Sequence, residues 1–452
     1  MTAAAPTAPI VRFAPSPTGR LHVGNARIAL VNWLFAKSLG GVFMLRHDDT
    51  DADREVHDAI NAIEADLKWL GLDWGQRVQQ SDRQDAYDKA IETLKASGRL
   101  YPCFETAEEL SLKRKVQLAA GKPPVYDRAA QALTPADIEA LKAEGRTPHW
   151  RFQLEGGRVG WADLVHGDMD LDAGALSDPV LVREDGTPLY TLTSVVDDLE
   201  FGVTHVIRGE DHIANTVPQI QLFQALGGDP PGFAHMALLT GPNGESLSKR
   251  LGSASVESFR NKGFEAVALT SLLARLGTSD PVEPRADLED VVAGFDIARF
   301  GRSPTKLDPA DLEILNPKVL HGTPFAAVSD RLQDAIGEMA TEAFWEMARP
   351  NLNVLSDVSG WANVVTGPMA PVIEDSEFAT KAAELLPPDP WSDETWPAWT
   401  GAIKAATGAK GRDLFHPLRL ALTGQEKGPE MKKLLPLIGR DRVAARLAGE
   451  TA

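Results

Sequence analysis

Apolar and polar positions alternate in blocks along the first hundred residues, and the blocks predict a parallel α/β unit. "PIVRFAP" (9–15) and "VFMLRH" (42–47) have the short apolar runs of buried strands. Between them, "NARIALVNWLFAKSLGG" (25–41) repeats apolar residues at helical spacing and ends in two glycines. Its predicted buried face consists of Ile28, Val31, Leu34, Phe35 and Leu39. A strand, a helix and a strand in succession form a crossover unit, which predicts a parallel sheet.

The same pattern is interrupted and then resumes. Apolar spacing predicts helices over 56–71 and 82–97, the first with Val56, Ile60, Ile63, Leu67 and Leu70 on one face. Residues 104–147 are polar and alanine-rich, and 149–193 contain strand-like runs with a turn at Asp185-Gly186, which together predict an α+β insertion. A strand, loop and helix return over 202–228, a strand follows over 233–240, and the remainder is helical.

Composition narrows the class of protein. With 43% hydrophobic and 24% charged residues in a chain of 452, extensive disorder is excluded. The formal net charge of −18 argues against non-specific nucleic-acid binding over the whole surface. The N-terminus lacks the pattern of a signal peptide, and we find no long uncharged apolar run, so a cytoplasmic protein without membrane spans is expected. Cys103 is the single cysteine, which excludes an internal disulfide.

Two loops have the composition of phosphate sites. "APSPTGRLHVGNA" (14–26) leads from the first strand into the helix, where N–H groups favour an anion and His22 can donate a hydrogen bond. "LTGPNGESLSKRLGSASV" (239–256) carries Lys249 and Arg250 among glycines and serines, as suits polyphosphate neutralisation. It is not a Walker loop. Taken alone, a structural histidine and an exposed basic turn are the more common explanations of such loops.

A third feature is the acidic segment "LRHDDTDADREV" (45–56) at the end of the second strand. His47 and Asp48 suggest a metal phosphohydrolase, although the acids cluster locally where such a site needs distant ligands as well. The alternative is a strand exit at Asp49 and Thr50 followed by a helix cap at Asp51 or Asp53. The pattern alone leaves both interpretations open.

Taken together and in order, these blocks resemble glutamyl-tRNA synthetase. "HVGN" (22–25) is similar to the HIGH signature of class I aminoacyl-tRNA synthetases, and "SLSKR" (246–250) is similar to KMSKS. The longer blocks "RFAPSPTGRLHVGNARIAL", "LRHDDTD" and "YTLTSVVDDLEFGVTHVIRGEDHIANT" narrow the resemblance to the glutamyl enzyme. It runs from about residue 10 to 260 and returns near the C-terminus in "GRDLFHPLRLALTG".

The resemblance implies that glutamate is joined to ATP as an adenylate and then transferred to the 3′ end of tRNA. It implies an ATP site that comprises His22, Gly24, Asn25, Ser248, Lys249 and Arg250. His22 and Lys249 are the expected catalytic residues, and Mg²⁺ is expected to arrive with the nucleotide. The glutamate site implied by the resemblance consists of Arg12, Ser16, Asp48, Tyr190, Ser194 and Arg208. Arg12 is expected at the γ-carboxylate and Asp48 at the α-amino group.

Four positions depart from the common bacterial pattern. Asp48 stands where Glu is more usual, Ser194 where some members have Asn, and Ser246 where KMSKS begins with Lys. The fourth departure is the loss of the zinc-binding cysteines, since only Cys103 remains, with Tyr126 nearby in "PVYDRAA". A structural zinc site needs four ligands, so no structural zinc and no other protein-bound metal is expected.

The resemblance also implies the fold class and the partners. The expected architecture is an α/β Rossmann-type catalytic domain interrupted by an α+β insertion and followed by helical anticodon-binding domains. The expected segments are 1–100 and 187–255 for the catalytic halves, 101–186 for the acceptor-binding insertion, 256–320 for a linking domain and 321–452 for anticodon binding. The expected partners are L-glutamate and tRNA(Glu), with charging of tRNA(Gln) left open, and a monomer is expected.

Basic residues are candidate tRNA phosphate contacts, although runs of this kind are usually solvated faces. The candidates are Lys113, Arg114, Lys115, Lys410, Arg412, Lys432 and Lys433. Two rivals share the fold: a truncated relative that glutamylates a modified tRNA base, and a non-catalytic tRNA-binding paralogue. The helical region 321–452 argues against the first, whereas the altered Ser194 and Ser246 leave the second open.

Overall fold

The structure, a computed structural model, describes residues 8–50, 54–244 and 255–452. The chain divides into two compact units. Unit 1 comprises residues 1–259, 270–283 and 287–308, and unit 2 comprises residues 260–269, 284–286 and 309–452. The segment 256–320, expected as a linking domain, is therefore shared between the two units. Among the described residues, no helix is long and apolar enough to span a membrane.

Unit 1 is built on a sheet of seven strands in the described part of the chain, ordered β3-β2-β1-β9-β10-β6-β7. Its neighbouring strands are parallel except for the β6–β7 hairpin. The strands of the structure are β1 (Ile10–Phe13), β2 (Val42–His47), β3 (Gln76–Gln79), β4 (Leu100–Cys103), β5 (His149–Phe152), β6 (Arg158–Asp163), β7 (Gly167–Asp172), β8 (Val180–Val182), β9 (His205–Gly209), β10 (Gly232–Met236), β11 (Leu239–Thr240) and β12 (Thr305–Lys306).

The helices of unit 1 join and cover these strands. They are α1 (Val23–Ser38), α2 (Arg54–Trp69), α3 (Gln84–Ala96), α4 (Ala107–Ala119), α5 (Pro135–Ala143), α6 (Tyr190–Glu200), α7 (Ile213–Ala225), α8 (Val256–Asn261), α9 (Ala266–Arg275) and α10 (Leu288–Ala293), of which α8 ends in unit 2 and α9 begins there. The predicted β1-α1-β2 crossover and its parallel pairing are confirmed. The helix predicted after the acidic segment is α2, and Ile60, Ile63, Leu67 and Leu70 are buried.

The single apolar face predicted for α1 is wrong. Leu39 follows the helix and is 56% exposed, whereas Ala29, Trp33 and Ala36 are buried on the side opposite the predicted face. Arg27 donates hydrogen bonds to the carbonyl oxygens of Ala237 and Leu276, both 2.8 Å away. Because protein surrounds the helix on all sides, its apolar residues do not form one stripe.

The predicted insertion has two structural parts. Strands β4, β5 and β8 form a separate antiparallel sheet, but β6 pairs with β10 in parallel and so extends the main sheet. The run "YTLT" was expected as a strand after the Asp185-Gly186 turn, but it begins helix α6 at Tyr190. Short runs of β-branched and aromatic residues fit either structure, and here the packing of α6 against α3 and α7 decides.

Unit 2 is helical. Its remaining helices are α11 (Pro309–Gly322), α12 (Ser329–Ile336), α13 (Glu342–Ala348), α14 (Val358–Thr366), α15 (Ser376–Glu384), α16 (Thr395–Thr407), α17 (Arg412–Thr423), α18 (Met431–Ile438) and α19 (Arg440–Leu447). Its core contains the fully buried Trp345 and Trp399, whose indole N–H groups donate to the carbonyl oxygens of Thr323 and Ala382. Buried tryptophans generally need such a partner for their polar atom.

Candidate active site

The sheet order reverses between β1 and β9, and a cavity of about 620 Å³ opens at the carboxyl ends of these two strands. Parallel α/β sheets bind ligands at such switch points, because adjoining crossovers leave in opposite directions. The cavity is lined by the loop after β1, the start of α1, the ends of β9 and β10, and Tyr190 of α6. Predicted site residues in its wall are Arg12, Ser16, His22, Gly24, Asn25, Tyr190 and Arg208.

His22 stands at the N-cap of α1. Its Nδ1 accepts a hydrogen bond from the backbone N–H of Gly24, 3.2 Å away. A neutral His22 in this arrangement carries its proton on Nε2, so Nε2 is a donor. The first turn of α1 adds unpaired N–H groups and the positive end of the helix dipole. This end of the cavity suits an anion such as a phosphate group.

Arg208 is 5% exposed on β9, and its hydrogen bonds go to neutral acceptors. Nε donates to Nε2 of His235 at 3.2 Å, and the terminal nitrogens donate to Gln219 at 2.7 Å and Thr216 at 2.9 Å. Longer contacts of 3.4 Å reach the Tyr190 hydroxyl and the His212 carbonyl oxygen. Burial, assisted by the charge of Arg12, lowers the pKa of Arg208. The pocket therefore favours an anionic ligand at Arg208.

Arg12, a second arginine in the cavity wall, already has a carboxylate partner. Its Nε lies 3.1 and 3.2 Å from the two carboxylate oxygens of Asp198 on α6. Arg46 on β2 binds the same carboxylate at 2.7 Å, so Asp198 joins two adjacent strands to the helix that covers them. Both arginines and Asp198 are nearly inaccessible to solvent.

Asp48 lines a second, smaller cavity of about 190 Å³ with Ser16, Thr50 and Tyr190. One carboxylate oxygen lies 2.7 Å from Nε of Arg46, and its side chain is 6% exposed. Burial lowers the pKa of Arg46, but the carboxylates of Asp48, Asp198 and Asp197 more than offset it and raise that pKa above its ordinary value. Arg46 therefore holds Asp48 in a fixed orientation at the cavity wall.

The described residues of the acidic segment, His47, Asp48 and Asp49, do not converge on one point, as a metal site would require. His47 contacts Glu64 at 3.2 Å, whereas Asp49 accepts hydrogen bonds from Gln79 and Ser81. Among the described residues, no group of three or more His, Cys, Asp and Glu side chains is arranged to hold a metal ion. The structural roles expected for His47 and Asp49 agree with these contacts. Asp51 and Asp53, the predicted caps, lie outside the described residues.

Other predicted site residues are placed differently. Ser194 is buried on α6 and lines neither cavity, and its hydroxyl accepts a hydrogen bond from Gln219 at 3.0 Å. Its contact with Arg208 therefore runs through Gln219. Ser248, Lys249, Arg250 and Ser246 lie outside the described residues, so their assignment continues to rest on the sequence.

Sequence reasoning missed Arg46, Asp198, Gln219 and His235, which hold the predicted residues in place. One signal was present, because "VVDDL" (195–199) places two acids inside an apolar helical run. Buried carboxylates of this kind need cationic partners. Asp197 meets that need through Arg83 at 2.7 Å and also accepts from Gln80 and Tyr87.

The region around Cys103 contains hydrogen bonds between protein groups. The Tyr126 hydroxyl contacts the Cys103 sulfur at 3.6 Å and Glu105 at 2.9 Å, and Lys113 reaches Glu105 at 3.3 Å. Burial raises the pKa of the Cys103 thiol to about 11, so the sulfur is a neutral thiol in this hydrogen-bonded arrangement. Lys113 is thus already paired, whereas its neighbours Arg114 and Lys115 are exposed.

A Rossmann-type sheet with an anion site at its switch point is typical of enzymes that bind nucleotides. The family model described as tRNA synthetases class I (E and Q), catalytic domain, matches residues 10–312, and that of an anticodon binding domain matches 330–449. The chain belongs to this family of class I tRNA synthetases.

Individual glutamate–tRNA ligases are similar to the chain over nearly its full length. The chain is 57% identical over 446 residues to glutamate–tRNA ligase 1 of Parvibaculum lavamentivorans, with 98% of this chain and 99% of that protein covered. It is 56% identical to glutamate–tRNA ligase of Azospirillum brasilense, with the same coverage. A solved glutamate tRNA ligase from Elizabethkingia meningosepticum, in complex with its amino acid, superposes with a TM-score of 0.85 at 26% identity over 98% of both chains.

Proposed function

We propose that this chain activates L-glutamate with ATP and transfers the glutamyl group to the 3′ end of tRNA(Glu). The observation that carries the proposal is the 620 Å³ cavity, where a helix N-terminus with His22 faces the same space as the buried Arg12 and Arg208. One end suits a phosphate and the other suits a carboxylate, as a glutamyl-adenylate requires. Relatives at 52–57% identity, covered over nearly their full length, are named glutamate–tRNA ligases.

The ATP half of the site would use the start of α1. His22 presents Nε2–H to the phosphates, while Gly24 and Asn25 lie in the first turn beside it. Donors already fixed in position stabilise charge that develops at the α-phosphate when the bond to pyrophosphate breaks. The resemblance implies that Lys249, with Ser248 and Arg250, contacts the phosphates that leave as pyrophosphate. Mg²⁺ would enter with the nucleotide and keep most of its water ligands.

The glutamate half would use Arg12 and Arg208. Arg208 and Arg12 face the space into which a substrate carboxylate fits, with Tyr190 and Ser16 beside them. Asp48 lies in the adjoining cavity, which also contains Ser16 and Tyr190, and would receive the α-amino group there. Ser194 would act through Gln219 and not by direct contact.

We assign tRNA contacts to the insertion and to the helical unit, in keeping with the expected segment boundaries. Arg114 and Lys115 on α4, with Lys410 and Arg412 near α17, are exposed cations available to phosphates. The expected form is a monomer, and charging of tRNA(Gln) besides tRNA(Glu) is tested by aminoacylation of the two purified tRNAs.

The proposal is tested by ATP–pyrophosphate exchange with glutamate, with and without tRNA. We expect glutamate-dependent exchange that His22→Ala lowers by about 10–1,000-fold, because one fixed donor to transition-state charge is lost. His57→Ala on α2 is the matched control, since His57 is exposed. Failure of the wild-type chain to catalyse exchange under either condition would refute the proposal and favour the non-catalytic paralogue.

We also propose that the insertion is stabilised without zinc. The purified protein is expected to contain substoichiometric zinc, and a chelator is expected to leave its thermal unfolding unchanged. Tyr126→Phe removes the hydroxyl that joins Cys103 and Glu105, and we expect a loss of about 1 kcal/mol in the free energy of unfolding. One zinc ion per chain, together with chelator-induced unfolding, would contradict this proposal.

A further inference from the structure

Three neutral side chains around Arg208 form what we call the neutral shell: His235, Gln219 and Thr216. Each accepts a hydrogen bond from the guanidinium at 2.7–3.2 Å, and each is at least 96% buried. Within the described residues, no carboxylate forms an ion pair with Arg208. The neutral shell therefore accepts the hydrogen bonds of the Arg208 guanidinium without neutralising its positive charge.

The contrast with Arg12 shows that this arrangement is specific to Arg208. Arg12 lies on the neighbouring strand and in the same cavity, but both oxygens of Asp198 stand within 3.2 Å of its Nε. Its charge is largely compensated inside the protein. Of Arg12 and Arg208, Arg208 is consequently the one without an ion pair to a carboxylate among the described residues.

A buried relay keeps His235 neutral and correctly oriented. Nδ1 of His235 lies 2.6 Å from the Asp163 carboxylate, so the ring proton is on Nδ1 and the lone pair of Nε2 faces Arg208. Asp163 also accepts hydrogen bonds from the backbone N–H groups of Val165 and His166. Burial lowers the pKa of His235 and so favours the neutral ring, although the contact with Asp163 acts in the opposite direction. The imidazole thus separates the negative charge of Asp163 from Arg208.

We propose that the neutral shell sets the preference for a glutamate side chain over a glutamine side chain. The side-chain carboxylate of a glutamate substrate replaces the two long contacts of Arg208 and neutralises its charge. The uncharged amide of a glutamine substrate leaves the buried guanidinium without a counterion. Leaving such a charge without a counterion is costly, and this difference gives the selectivity. Gln219, Thr216 and His235 are positioning residues in this scheme. The inference rests on the proposed function and specifies how its amino acid is chosen.

Gln219→Glu tests the inference with almost no change in shape. The new carboxylate would stand 2.7 Å from Arg208 and would accept a hydrogen bond from the Ser194 hydroxyl. The positive charge of Arg208 is then neutralised by a side chain of the protein. We expect kcat/KM for glutamate in ATP–pyrophosphate exchange to fall by about 10–100-fold, mainly through KM. The ratio of kcat/KM for glutamate to that for glutamine is expected to fall at least as far.

Two further variants separate charge from other effects. Gln224→Glu adds the same charge to the exposed side of α7 and is expected to leave the ratio unchanged. Thr216→Asp places a carboxylate at the other terminal nitrogen of Arg208, 2.9 Å away, and repeats the test should Gln219→Glu fail to fold.

The outcomes distinguish the two proposals. Wild-type exchange with glutamate, combined with an unchanged ratio in a folded Gln219→Glu or Thr216→Asp variant, would overturn this inference alone. No wild-type exchange would overturn the proposed function and this inference with it. Near-ultraviolet circular dichroism establishes that each variant is folded.

Discussion

Replacing Arg46 with methionine is expected to lower the free energy of unfolding of unit 1 by about 3–5 kcal/mol. Arg46 is fully buried and lies 2.7 Å from both Asp48 and Asp198. Methionine fills much of the same volume but leaves these carboxylates without one of their cations. Asp198 keeps Arg12, whereas Asp48 loses the only ion-pair partner that the described residues give it.

Arg77→Met is the matched control for this experiment. Arg77 also forms an ion pair, with its Nε 2.7 Å from a carboxylate oxygen of Glu64, but its side chain is 40% exposed. Exposed pairs of this kind contribute about 0–1 kcal/mol. Urea unfolding followed by far-ultraviolet circular dichroism gives both values, and equal shifts for the two variants would contradict the role assigned to Arg46.

Replacing Asp48 with alanine is expected to raise the KM for glutamate by about 10–100-fold, since a charge-assisted hydrogen bond to the substrate amine is removed. Arg46 retains Asp198 at 2.7 Å and Asp197 at 3.7 Å, so it keeps carboxylate partners in the variant. Asp48→Glu is expected to keep most of the activity because the carboxylate remains. Steady-state exchange kinetics measure the effect, and Asp58→Ala on the exposed side of α2 controls for the change in charge. A KM that is the same in Asp48→Ala and the wild type would show that the carboxylate does not receive the amine.

The parts of the fold that were predictable are those that local sequence determines. The β1-α1-β2 crossover and the apolar face of α2 follow from short-range periodicity, and both are confirmed. The surroundings of α1 were not predictable, because they depend on residues 237 and 276, far along the chain. The start of α6 at Tyr190 was also misjudged, because tertiary packing overrides weak strand propensity.

The same distinction applies to the site. The residues that line the cavity follow from motifs, whereas the residues that hold them depend on strand register. Arg208 and His235 are direct neighbours across β9 and β10, and Asp163 reaches them from β6. Alternation along a strand indicates which face a side chain occupies but not which residue lies opposite. The neutral shell is therefore a result of the three-dimensional structure.

The strand order has a consequence for synthesis on the ribosome. Strands β9 and β10 occupy the middle of the sheet, between β1 and β6, yet they are translated after both. A nascent chain that ends before residue 205 has the two outer parts of the sheet but nothing to join them, and its edges at β1 and β6 are unpaired. Exposed edges of this kind favour association between chains. The seven-stranded sheet can therefore be completed only after about half of the protein has been made, and chaperone binding is expected to be strongest before that point.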